Sequence, residues 1–185
     1  AAAPPKKMIA HFMNSLSGCA FFHDLEQVMM RDGYQLKEMV IREDYAFILE
    51  YFLTEKGLNY GNLPKALLKF HTYGDETRTA LEEHLVEAAK YAQNKDHSCF
   101  LHFTVSPDHQ QEFEKKISEV LPVFEQKFSV KYHISFSVQH PSTDTLAAEM
   151  DNRPFYDDKG KLLFRPGGHG ALIYNLNQLK FDIIF

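Results

Sequence analysis

Cysteine is scarce in this sequence. The chain of 185 residues contains 2 cysteines, Cys19 and Cys99, which are far apart and outside any CxxC pattern. This spacing argues against a disulfide framework and against a zinc site built from thiolates. We therefore expect the protein in a reducing cytoplasm.

Long apolar stretches and a basic surplus are also missing. No apolar run approaches the roughly 18 to 20 residues that cross a bilayer, and residues 1–7 lack the apolar centre of a signal peptide. The 20 Lys and Arg residues are outnumbered by 25 Asp and Glu, which gives a net charge of −5. We therefore expect neither a membrane partner nor a nucleic-acid partner.

Several catalytic motifs are absent. The sequence has no HExxH motif, no GxSxG elbow and no P-loop, and its 10 histidines are scattered. Two pairs of acids, Glu82-Glu83 and Asp157-Asp158, fall at a helix start and in a turn, where structural roles explain them. We therefore expect most of the histidines to be surface or packing residues.

The residue pattern predicts an α/β fold. Residues 1–62 have helical periodicity, and residues 63–185 alternate between strand and helix patterns. The strand candidates are 66–70, 99–105, 130–138 and a final strand that begins at Phe181. Alternation with short joints predicts a mostly parallel sheet with helices on both faces, and a hairpin through Asp158 to Gly160 is expected beside it.

Both ends of the sequence have the appearance of cuts. The chain begins on alanines without an initiator methionine and stops at Phe181-Asp182-Ile183-Ile184-Phe185, which reads as the middle of a strand. We therefore expect a fragment of a larger protein, with an α/β core truncated at its C-terminal end.

The strongest candidate site is the loop Pro166-Gly167-Gly168-His169-Gly170. Three glycines in four residues allow positive φ and a close approach of the backbone to a ligand, and a following helix would offer free N–H groups to an anion. A tight strand-to-helix turn explains the same residues equally well.

Two further candidates follow other predicted strands. Gln139 opens a polar segment that includes Thr143 and Asp144, and its amide suits the edge of a base, although a capping turn is the simpler reading. Lys65 could supply a fixed positive charge to phosphates, although most single lysines are merely solvated.

The chain resembles the bacterial domain-of-unknown-function family 4301. The resemblance rests on five segments: Leu63–His71, Glu82–Glu87, Leu101–Ser106, Pro141–Thr145 and Phe164–Ile173. The match spans most of the chain and implies no activity, because the family is uncharacterised.

A more distant resemblance is to the nucleotide-sugar pyrophosphorylases. Gln139 and Pro141, a hairpin through Gly160 and then the Pro166–Gly170 loop follow the layout of those enzymes. The resemblance implies a nucleotidyltransferase fold of the glycosyltransferase-A, Rossmann-like type. It also implies that Gln139 and the loop meet a uracil-like base.

The same resemblance implies a reaction and its participants. A nucleoside triphosphate would transfer its uridylyl group to a sugar 1-phosphate and release pyrophosphate, with Mg²⁺ and Lys65 stabilising the phosphate charge. Further candidates for contacts to the phosphate or the sugar are Arg165, Thr143 and Asp144. His169 matches the Pro-Gly-His-Gly form that this loop has in pyrophosphorylases of the UDP-glucose type. The Gly/Arg phosphate loop and the metal-holding aspartate of those enzymes have no counterpart in this sequence. A non-catalytic module that binds a nucleotide or a sugar phosphate is therefore the alternative.

Overall fold

The computed structural model describes residues 6–184, without the side chains of Lys6, Lys7 and His169. The chain is a mixed α/β protein that divides into two compact units, residues 1–87 and 88–185. Within the described residues, no helix is both long and apolar enough to cross a bilayer.

The first unit begins with four helices, in the segment for which the periodicity predicts helical structure. They are α1 (Lys6–Ser15), α2 (Phe22–Arg31), α3 (Leu36–Ile41) and α4 (Tyr45–Leu53). Their apolar faces meet in one core, which consists of Met13, Leu16, Leu25, Met29, Leu36, Met39, Ile48 and Tyr51. Burial of these side chains is the main stabilising term for the helical layer.

The expected buried strand at 66–70 is wrong. Lys65–Leu67 is a 3-10 turn, and the strand that follows, β1 (Lys69–Tyr73), pairs antiparallel with β2 (Glu76–Thr79). Gly74 has a φ of 62° in the two-residue turn between them. The apolar residues that suggested a buried strand are therefore divided between two elements. Ala66 and Leu67 are half-buried in the 3-10 turn, and Phe70 lies in the hairpin, where it is 52% exposed.

Helix α5 (Ala80–Tyr91) begins with the predicted capping box. The Glu82 carboxylate accepts from the Thr79 backbone N–H at 2.7 Å and from the Thr79 hydroxyl at 2.9 Å. In return, Thr79 Oγ1 accepts the Glu82 N–H at 3.2 Å. This reciprocal pairing satisfies N–H groups that a helix start leaves without partners.

The second unit contains the predicted strand–helix–strand. Strands β3 (Ser98–Val105) and β4 (Lys131–Val138) pair in parallel, with Ser98 opposite Lys131 and Val105 opposite Val138. They are joined through α6 (Gln110–Phe128). The residues of α6 that are buried are Phe113, Ile117, Val120 and Phe124. Rings of Phe103 and Phe136 lie 5.9 Å and 6.4 Å from the ring of Phe113, so one face of the pair packs on this helix.

The remaining elements are short. Strand β5 (Thr145–Leu146) pairs antiparallel with β6 (Phe164–Arg165), and α7 spans Ile173–Gln178. The predicted hairpin is confirmed by the Tyr156–Leu162 bridge and by a φ of 72° at Gly160. The described sheets are thus three separate two-stranded pairs, of which one is parallel, and this differs from the expected single, mostly parallel sheet.

The strand expected from Phe181 is not formed in the described residues 181–184, which have no regular structure. Apolar composition favours a strand there, but a strand needs a neighbour to satisfy its backbone groups. Phe181 instead lies with its ring 5.4 Å from that of Phe100 on β3.

Candidate functional site

The site is built on the polar face of the β3–β4 pair, on the side opposite α6. Register places His102 beside Ser135 and Thr104 beside Ser137. Thr104 Oγ1 and Ser137 Oγ are 3.2 Å apart. The two strands therefore present a row of hydroxyl and imidazole groups that leads toward their carboxyl ends, where ligands bind in open α/β sheets.

His102 connects this row. Its Nδ1 is 2.8 Å from Ser135 Oγ and its Nε2 is 2.8 Å from Ser137 Oγ. Burial lowers the pKa of His102, which favours the neutral ring with one donor and one acceptor nitrogen. Ser135 Oγ donates to the Leu101 carbonyl at 3.4 Å, so its oxygen is left to accept from Nδ1–H, and Ser137 donates to Nε2.

Asn175 of α7 completes the row at the end of β4. Its Nδ2 donates to Ser137 Oγ at 2.8 Å and to the Val138 carbonyl at 2.9 Å. Asn175 is 6% exposed, and its Oδ1 is buried without a hydrogen-bond partner among the described residues. A buried acceptor without a partner is uncommon in native proteins, because it loses its bonds to water.

Gln139 follows directly and holds the next loop together. Its Nε2 donates to Thr143 Oγ1 at 3.0 Å, and Thr143 Oγ1 donates to the His140 carbonyl at 2.6 Å. Pro141–Thr143 forms a 3-10 turn. The predicted polar segment is therefore an ordered turn at the carboxyl end of β4, with Gln139 half-buried at its base.

The glycine loop lies against this turn. A Cβ on Gly167 would stand 2.6 Å from the Thr143 carbonyl oxygen and 3.4 Å from Gln139 Nε2. Two sequence-predicted site segments are thus brought together by the absence of a side chain at one position. The expectation of positive φ in this loop is wrong for Gly167, Gly168 and Gly170, none of which has a positive φ. Of the three glycines, only Gly167 has its backbone in close approach to a neighbouring segment.

The other predicted loop residues are distributed around this contact. Arg165 ends β6 opposite Thr145, whose hydroxyl approaches the Arg165 carbonyl at 3.3 Å, and its side chain is exposed. Pro166 is exposed next to it, and Asp144 is half-buried after the 3-10 turn. The predicted role of His169 concerns a side chain outside the described residues.

Lys65 belongs to the first unit, where it opens the 3-10 turn Lys65–Leu67 and is exposed. The paired acids of the same unit have structural roles, as predicted. Glu82 caps α5, and Glu83 accepts from His71 Nδ1 at 3.1 Å and from Arg78 at 3.5 Å. Burial raises the pKa of Glu83, but hydrogen bonds from Tyr73 and His71 together with Arg78 lower it overall.

One kind of metal site is missing from the described part of the chain. Residues 6–184 contain no group of three or more His, Cys, Asp or Glu side chains that could hold a metal ion. In a nucleotide site Mg²⁺ needs no such group, because one or two carboxylates and the phosphates of the substrate hold it. The expected Mg²⁺ therefore stays a prediction.

The sequence interpretation missed His102, Thr104, Ser137 and Asn175. A signal was present, because polar residues alternate along both strands and parallel pairing in register brings them side by side. Asn175 was one of several polar residues of a predicted helix, together with Asn177 and Gln178, and only the fold places it against the end of β4.

Comparison with known proteins identifies the family. The model of the family described as "Domain of unknown function (DUF4301)" matches residues 1–185. No curated protein and no solved structure matches the chain. The chain therefore belongs to the DUF4301 family.

Proposed function

We propose that this member of the DUF4301 family binds a nucleotide at the carboxyl end of β4. The observation that carries the proposal is the contact of Gly167 with the Gln139–Thr143 turn, where a Cβ would stand 2.6 Å from the Thr143 carbonyl. This contact places the Gln139 side-chain amide beside the backbone of the Pro166–Gly170 loop, and we call these two segments the rim. The rim lies at the carboxyl end of a parallel strand, where nucleotides bind in α/β folds.

The activity that we propose is nucleotidyl transfer of the pyrophosphorylase type, in a domain of glycosyltransferase-A, Rossmann-like character. An oxygen of a sugar 1-phosphate attacks the α-phosphorus of a uridine triphosphate, and the bond from that phosphorus to the oxygen bridging to the β-phosphate breaks. Pyrophosphate leaves with the bonding electrons. Such transfer depends chiefly on positioning and charge stabilisation, which agrees with the lack of a nucleophile motif.

Binding is tested first, by calorimetric titration of the complete protein with UTP, a UDP-sugar, ATP and inorganic phosphate in the presence of MgCl₂. We expect uridine nucleotides to bind and Gln139→Ala to weaken them about tenfold or more, because an amide that reads a base edge is lost. Gln178→Ala is the control, since Gln178 lies exposed at the end of α7. No binding of any nucleotide by the wild-type protein would reject the proposal.

Turnover is tested separately by pyrophosphate release from UTP and a panel of sugar 1-phosphates. The role of Lys65 rests on the resemblance alone, and Lys65→Ala is expected to reduce turnover by roughly 100-fold, as loss of a preorganised charge does elsewhere. Unchanged turnover in this variant would remove Lys65 from the mechanism.

A non-catalytic nucleotide or sugar-phosphate binding module is the second candidate. It is favoured by the lack of a counterpart to the Gly/Arg phosphate loop of the pyrophosphorylases in this sequence. Nucleotide binding without pyrophosphate release, for every sugar phosphate tried, would support the module over the enzyme.

A further inference from the structure

The amide of Asn175 has a fixed orientation. The carbonyl of Val138 can only accept, so the atom 2.9 Å from it must be the amide nitrogen. The same nitrogen donates to Ser137 Oγ at 2.8 Å. Both N–H groups are therefore used, and Oδ1 is a buried acceptor without a partner among the described residues.

The Asn175 amide lies at the carboxyl end of β4, which is also the end of the strand that carries the proposed site. Val138, which holds the Asn175 amide, immediately precedes Gln139, and Gln139 lies against the glycine loop. A group bound at this rim with a donor directed inward would satisfy Oδ1. The gain would be large, since an acceptor already removed from water forms its bond with little further desolvation.

Nucleobases divide into two classes according to whether the ring nitrogen on their pairing edge carries a hydrogen. Uracil, thymine and guanine carry a ring N–H on the pairing edge, whereas cytosine and adenine carry a bare ring nitrogen there. Asn175 Oδ1 can only accept, because both N–H groups of the amide are already used. It therefore attracts the ring N–H of the first class and repels the nitrogen lone pair of the second. Sites that are built around a buried hydrogen bond reject analogues that lack the matching group.

We infer that Asn175 is the residue that selects the base, with Oδ1 accepting the ring N–H of a uracil-class base. This inference rests on the proposed nucleotide site. Because Oδ1 is buried, the base reaches it only with a local shift of the chain, so binding includes a rearrangement at the end of β4.

The test compares UTP with CTP, each with MgCl₂, by calorimetric titration of the complete protein. The wild-type protein should prefer UTP by about tenfold or more, and Asn175→Ala should bring the two affinities close together. Asn177→Ala is the matched control, because Asn177 is an exposed asparagine on the same helix. It should keep the wild-type preference. The ratio of affinities is the readout, so a general weakening of binding does not imitate the result.

A second measurement needs no variant and covers the case in which Asn175→Ala does not fold. Uridine triphosphate methylated at the ring N–H should bind the wild-type protein about tenfold or more weakly than UTP. Equal binding of UTP and CTP, equal binding of the methylated nucleotide, or a preference that survives in folded Asn175→Ala would overturn the inference and leave the proposed site standing. Failure of the wild-type protein to bind any nucleotide would instead reject the proposed function and the inference with it.

Discussion

At the scale of single residues, Gly167 makes the contact that joins the two loops of the candidate site. A Cβ there would stand 2.6 Å from the Thr143 carbonyl and 3.0 Å from Ala171 Cβ, and a backbone atom cannot yield as a flexible side chain does. Gly167→Ala should therefore lower the free energy of unfolding by about 1 to 3 kcal/mol. It should also weaken nucleotide binding, since the rim opens.

Gly168 provides the control for this prediction. No atom lies within 4 Å of the position that its Cβ would take, and its φ of −73° suits any residue. Gly168→Ala should change the free energy of unfolding by no more than about 0.5 kcal/mol in urea titrations. Equal destabilisation by both substitutions would show that the close contact at Gly167 is not decisive.

His102 predicts a response to acid. Its folded pKa is lowered from the ordinary value of 6.5 by burial, so the unfolded chain takes up a proton before the folded one does. The contribution of this group to stability is therefore complete above 6.5 and is lost as the pH falls from 6.5 toward the folded pKa. Acid should thus reduce stability through this residue.

The measurement is urea unfolding followed by circular dichroism at about pH 7.5 and about pH 5.5. His102→Gln keeps a donor and an acceptor but does not titrate, so its loss of stability between the two pH values should be smaller than that of the wild type. His11→Gln, at an exposed position on α1, should retain the wild-type loss. A wild-type loss that persists in His102→Gln would assign the acid response to other groups.

At the scale of elements, the start of α5 depends on the capping box. Thr79 is 2% exposed and exchanges hydrogen bonds with Glu82 through both its backbone and its hydroxyl. Thr79→Ala should lower the free energy of unfolding by about 1 kcal/mol, because a helix N–H loses its acceptor. Thr72→Ala, on the exposed strand β1, is the control and should have a much smaller effect. Comparable losses in both variants would contradict the capping role.

The elements also show what sequence patterns can and cannot specify. Alternation in 99–105 and 130–138 predicted strands that the structure confirms, and Thr79 with Glu82 predicted a helix start to the residue. These signals are local, since they depend on pleat and capping geometry that a few consecutive residues define. The hairpin turn at Gly160 was predictable for the same reason.

The failures concern information that is not local. The apolar run at 66–70 matched a buried strand, but a short apolar run has no periodicity that distinguishes it from a turn and an exposed hairpin edge. Gly74-Asp75 was an available hairpin signal. The position of Asn175 against Val138 joins residues 37 apart in sequence, and only tertiary packing determines such a pair. The sequence thus predicted the two loops of the candidate site, but not the hydrogen bonds that connect His102, Ser137 and Asn175.

At the scale of the whole molecule, charge decides which anions can bind. With 20 basic and 25 acidic residues the net charge is −5, so the long-range field repels polyanions. A mononucleotide gains its affinity from directed contacts at one site, whereas a nucleic acid depends on many lysine and arginine contacts to phosphates. We therefore expect UTP to bind and an oligouridylate of about ten nucleotides to bind no more tightly than UTP.

Salt concentration separates the two modes of binding. Raising NaCl from about 50 to about 300 mM should change the affinity for UTP only slightly, because screening of the net repulsion offsets screening of the local cations. Binding through a basic surface would instead fall by several orders of magnitude over a comparable range. A steep loss of UTP affinity with salt, or strong binding of the oligonucleotide at low salt, would show that the acidic balance of the chain conceals a basic surface and would replace the single-site picture of recognition.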